Sequence, residues 1–149
     1  MKSRSSDELE LVRQYVGIEQ ARFSDRLRPE FRIDDSLLSA ALPSFTLQNL
    51  MENAIRHGIA RSPEAGRLIV AARRLDDLLE ISVTDDGTGI DENIAIPKGH
   101  GIDNTRERLR ALYGERASLM LVRRPEGGTI ATLRLPYSEL RRESNGETE

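Results

Sequence analysis

The sequence predicts an α+β domain: a two-layer sandwich in which a mixed, largely antiparallel sheet packs on helices. Apolar residues recur at helical spacing in three stretches and alternate with a period of two in five others. The two kinds of stretch are interspersed along the chain, and short turn signals separate the paired alternating runs. With 149 residues the chain suits one core, burying roughly 68–70% of the surface an unfolded chain exposes.

The first helix is expected from Asp7 to Leu27, where Leu9, Val12, Val16 and Phe23 recur among charges and Ser6 or Asp7 offers a cap. Arg28–Ile33 alternates as a strand, with Phe31 and Ile33 on one face and Glu30 and Arg32 on the other. Asp34-Asp35 punctuates before Leu37–Leu42, and a second helix is expected after Pro43, placed in its first turn. Leu68, Val70 and Ala72, then Leu79, Ile81 and Val83, form two strands joined around Asp76-Asp77 as a hairpin. A glycine-punctuated stretch from Gly87 to Gly101 leads into a third helix with Ile102, Thr105, Leu109 and Leu112 on its inner face, stopped by Gly114. Ser118–Arg123 and Thr129–Leu135 close the chain as a second hairpin around a Pro125–Gly128 turn. Three regions follow: a linker helix over 1–27, the main domain over 28–137, and a polar, disordered tail over 138–149.

Composition removes several function classes. Lysine and arginine total 22 against 25 aspartate and glutamate, a net charge of −3, so no general basic field draws the chain to nucleic acid or an anionic membrane. No apolar run approaches the ~20 residues of a membrane span, and MKSRSSDELE lacks the apolar core of a signal peptide. With 0 cysteines, thiolate metal sites, disulfides and cysteine nucleophiles are excluded. The 2 histidines are His57 and His100.

The second helix has two faces. Leu47, Leu50, Met51, Ala54 and Ile55 share one arc, while Asn49, Glu52, Asn53, Arg56 and His57 share the opposite one. A solvated surface explains charges there, but asparagine on successive turns is a poor helix former, and amide and carboxylate oxygens at this spacing suit a hydrated Mg²⁺ bridged to phosphates. Downstream, VTDDGTGID carries Asp85 into Gly87 and Gly89, where a ligand can approach the backbone. Gly99-His100-Gly101 opens the third helix with free amides and a positive dipole end that suit phosphate. Neither stretch is a P-loop or a dinucleotide-binding turn.

Together LQNLMENAIRHG (47–58), VTDDGTGI (83–90), GHGIDNTRERLRALYG (99–114) and GGTIATLRLP (127–136) resemble, in order, the N, G1 and G2 boxes and closing strand of the GHKL ATP-binding domain, the Bergerat fold. The match is close to the LytS-like sensor histidine kinases, and ELELVRQYVGIEQARFSDRL (8–27) resembles the segment leading into their catalytic domain. The resemblance implies that Asn53 coordinates Mg²⁺ between the phosphates of ATP and that Asp85 accepts from the adenine amino group. It implies that Gly87 and Gly89 pass close to the base, that Gly99 and Gly101 bring amides to the phosphates, and that the Thr129 hydroxyl supports adenine through Asp85 or a water. Lys98, at the end of a short lid over 90–98, either contacts a phosphate or is a solvated lysine. His57 matches a basic position that faces the phosphates, though a histidine near a helix C-terminus also pairs with last-turn carbonyls. His100 departs from the family pattern and reads as a lid variant.

Members that hydrolyse ATP, such as gyrase and MutL, carry a glutamate one turn before the metal-binding asparagine; here that position is Asn49, where the LytS-like branch carries proline. Asn49 and Glu52 are therefore the catalytic candidates, Glu52 as an orienter of metal-bound water or a proton acceptor. The resemblance implies transfer of the γ-phosphate to a histidine on a dimerisation helix of a longer, membrane-tethered homodimeric kinase, with ATP, that helix and a downstream response regulator as partners. It implies a cytoplasmic domain that touches neither nucleic acid nor membrane and is slow or inactive in isolation. A serine kinase that restrains a sigma factor and a non-catalytic nucleotide-binding module are the alternatives.

Overall fold

The computed structural model describes residues 2–22, 26–61, 66–87 and 101–140. In chain order it contains β1 (Lys2–Arg4), α1 (Ser5–Arg22), β2 (Arg28–Ile33), a 3-10 turn (Asp35–Leu37), β3 (Ala41–Pro43), α2 (Thr46–His57), β4 (Arg67–Leu75), β5 (Leu78–Asp85), α3 (Gly101–Tyr113), β6 (Ser118–Arg123) and β7 (Thr129–Pro136). The main sheet has the order β2-β4-β5-β7-β6, with β2 parallel to β4 and every other neighbour antiparallel. This is the expected mixed sheet on a helical layer. α2 is the crossover element between the parallel strands β2 and β4, which seats it against β5 with α1 and α3 on either side.

Strand alternation builds the interface between the layers. Val70, Val83, Ala131 and Leu121 lie in one cross-strand row, and Ala72, Ile81, Leu133 and Leu119 in the next, all facing the helices. From the helical layer Leu47, Leu50, Met51, Ala54 and Ile55 meet them, the five residues of the predicted apolar arc. The β4–β5 hairpin turns at Asp76, whose φ of 54° is left-handed, and Gly114 stops α3 at φ 61°.

Four expectations need correction. Pro43 is the last residue of β3, not a first-turn helix residue; its partner is Lys2 in a two-stranded ribbon, and a proline at such a strand end forfeits little. α1 ends at Arg22, short of Leu27, and Phe23 lies outside the described residues. Leu112 is 40% exposed, and Tyr113, one turn after Leu109, fills the inner face instead. Residues 138–140 are tied down: Ala41 donates its N–H to the Ser138 carbonyl at 2.8 Å, and Leu140 donates to Ser39 at 2.9 Å. The helix expected as a linker also sinks Leu9, Val12 and Val16 into the common core.

Candidate functional site

Asp85 ends the inward-facing series Leu79, Ile81, Val83, so alternation alone turns its carboxylate toward the helical layer. It is 3% exposed. Oδ1 accepts the Gly87 N–H at 2.9 Å, and the Thr129 main-chain N–H supports the same carboxylate. Burial is the main influence on its acidity and pushes its pKa up to about 6; the Gly87 and Thr129 amides and Arg124 pull against this, and Asp86 adds to it.

The neighbouring chain comes this close to the carboxylate because it lacks side chains there. A Cβ on Gly58 would overlap Asp85 Oδ1, one on Gly87 would overlap the Gly58 backbone, and one on Gly128, at φ 94°, would overlap the Asp85 carbonyl. The end of α2, the end of β5 and the start of β7 therefore meet backbone to backbone. Asp86 points the other way, its Oδ1 accepting the Gly66 and Arg67 N–H groups at 2.9 Å each, which fastens the start of β4 to the end of β5.

α2 presents the polar face. Asn49 Nδ2 donates to Thr105 Oγ1 of α3 at 3.2 Å, and Gln48 Nε2 donates to Glu52 Oε2 at 3.1 Å. The side chain of Asn53, one turn beyond Asn49 and half-buried, makes no hydrogen bond among the described residues. His57 lies half-buried in the last turn, immediately before Gly58. Of the two arginines of α3, Arg108 donates to the Ser44 carbonyl ahead of α2, while Arg106 Nε reaches the Leu119 carbonyl at 3.3 Å. Gly101 begins α3; Gly89, Lys98, Gly99 and His100 lie outside the described residues.

The model of the histidine kinase-, DNA gyrase B- and HSP90-like ATPase family matches residues 43–139, the stretch holding every one of these site groups. The chain belongs to this ATPase family. Within it, the domain is 35% identical over 134 residues to the sensor histidine kinase BtsS of Escherichia coli K12, covering 90% of this chain and 24% of that protein. It is 35% identical over 147 residues to the sensor protein LytS of Staphylococcus saprophyticus, covering 91% and 25%. The chain thus spans about a quarter of these relatives. The catalytic domain of histidine kinase ThkA superposes at a TM-score of 0.71 over 94% of this chain and 98% of that one, at 16% identity, which shows the shared fold. In another structure, of ThkA in complex with the response regulator TrrA, the TM-score is 0.69, with 93% and 42% covered at 15% identity. Among the described residues no helix of this ATPase domain is long and apolar enough to cross a membrane, and no cluster of acidic or histidine side chains forms a metal cage.

Sequence reasoning singled out Asp85, Gly87 and Thr129, which the ATPase fold brings together, and Asn53, which lies on the polar face of α2. It did not single out Gly58 or Asp86. Both lie inside the quoted motifs, but their roles depend on contacts between segments distant in sequence.

Proposed function

We propose that this domain binds ATP and serves a sensor histidine kinase as its catalytic domain, donating the γ-phosphate to a histidine carried elsewhere in the parent protein. The observation that carries the reading is the Asp85 carboxylate, buried yet accepting amides from Gly87 and Thr129 and walled by Gly58. An ionised carboxylate only accepts hydrogen bonds, so this pocket suits the amino group of adenine and rejects the oxo group of guanine.

Asn53 fits a metal–phosphate role because its amide has no protein partner among the described residues, whereas Asn49 is committed to Thr105. With no cage of protein ligands among the described residues, a Mg²⁺ ion would rest on Asn53, phosphate oxygens and water. When bound, such an ion offsets phosphate charge. His57 extends the same face toward the phosphates. Gly89, Lys98, Gly99 and Gly101 belong to the proposed site by the motif resemblance: Gly89 beside the base, Gly99 and Gly101 by amides offered to the phosphates, and Lys98 as a phosphate contact. Glu52, which accepts a hydrogen bond from Gln48, would orient metal-bound water or take a proton from an acceptor imidazole, and Asn49, standing where hydrolytic members carry glutamate, supplies no base to activate water.

The test is phosphate transfer from ATP to a supplied dimerisation fragment containing the acceptor histidine, followed by transfer to a response regulator. Labelled acceptor in the presence of Mg²⁺ supports the reading. ATP binding without transfer to any histidine-bearing fragment points to the nucleotide-binding module instead.

A further inference from the structure

α2 starts without a cap of its own. Phe45 occupies the capping position in a left-handed conformation, φ 67°, and supplies no side-chain acceptor. Both oxygens of Glu8, 1% exposed in the first turn of α1, take that role instead: Oε2 accepts the Phe45 N–H at 3.0 Å and Oε1 the Leu47 N–H at 3.2 Å. From the opposite side Arg108 of α3 holds the Ser44 carbonyl, and Thr105 holds Asn49.

We propose that Glu8 is a positioning residue for the nucleotide site: by capping α2 from a neighbouring helix, it sets where Asn53 stands relative to Asp85. The proposal rests on the metal role given to Asn53 above. From Leu47 to Asn53 is about 9 Å along a rigid helix, so a change in seating at the first turn is carried to the polar face. Asp85 is held by the sheet and by the Gly87 N–H, and it meets α2 at Gly58, at the end of the helix away from the cap. Loss of the cap therefore alters the phosphate side of the pocket relative to the base side. A force applied along α1 reaches the site by the same route, through two hydrogen bonds.

The test compares wild type with Glu8→Gln, which keeps the shape but replaces one acceptor oxygen with a donor facing an N–H. Affinities for Mg·ATP and for adenosine are measured together with the side-chain amide resonance of Asn53. The expected result is Mg·ATP affinity about tenfold weaker, adenosine affinity within about twofold, and a shifted Asn53 resonance, on the scale of a lost charge-assisted hydrogen bond. Parallel losses of both affinities, or an unmoved Asn53 resonance, would overturn the proposal. If Glu8→Gln does not fold, Glu8→Asp, which retains both oxygens but draws them back, is read by the same criteria. Asn53→Ala run alongside separates the two ideas. If that variant keeps full Mg²⁺-dependent binding, the metal role of Asn53 fails, while the shift of the Asn53 resonance in the Glu8 variants still decides whether Glu8 positions it.

Discussion

Gly58 lies directly against the Asp85 carboxylate, so that a side chain at position 58 would overlap Oδ1. The glycine's absent Cβ is the space the carboxylate occupies. Gly58→Ala must push the helix end or the carboxylate aside, an overpacking that costs about 1–3 kcal/mol. Denaturant unfolding with a nucleotide titration should show this loss together with adenine binding weakened well beyond it. An alanine variant of wild-type stability and affinity would mean that the carboxylate has room to move.

Asp85 also makes stability depend on pH in an unusual direction. Its folded pKa, about 6, lies above the ordinary 3.8, so between these values the folded domain holds a proton that the unfolded chain has released. The resulting stabilisation is complete below 3.8 and lost as pH rises through about 6. Comparing wild type with Asp85→Asn by urea unfolding, the wild type should gain relative stability between pH 7 and pH 4, by up to about 3 kcal/mol. Adenine selectivity should fall in the variant, because an amide can donate as well as accept.

The two asparagines of α2 should separate under mutation. Asn49→Ala breaks the tie to Thr105 and should lower stability by about 1 kcal/mol. Asn53→Ala removes a side chain with no hydrogen bond among the described residues, so stability should stay within about 0.5 kcal/mol while Mg²⁺-dependent ATP binding drops. Thermal melts and calorimetry on both variants check the contrast; the reverse pattern would exchange their roles.

Much of this was legible in the sequence because its signals are local. The two faces of α2 and the inward alternation of Leu79, Ile81, Val83 and Asp85 are fixed by helical and strand periods, and the structure reproduces them. What periodicity could not supply were pairings between distant segments: the β1–β3 ribbon that absorbs Pro43, the tether of residues 138–140 to Ser39 and Ala41, and Glu8 capping a helix 37 residues away. Tyr113 displaced Leu112 for a related reason. Either residue suits the inner face by spacing, and only the neighbouring packing selects between them. In the site, Asp85 announced itself by its place before two glycines, whereas Gly58 looked like an ordinary helix stop until the fold brought it to Asp85.

The central claim is an adenine-selective, Mg²⁺-assisted nucleotide site built on Asp85 and Asn53. Calorimetric titration of ADP, a non-hydrolysable ATP analogue and its GTP counterpart, each with and without Mg²⁺, tests it most directly. The account predicts binding of both adenine nucleotides, strengthened by Mg²⁺ for the triphosphate, and little or none of the guanine analogue. Equal binding of adenine and guanine nucleotides, or an affinity indifferent to Mg²⁺, would contradict it.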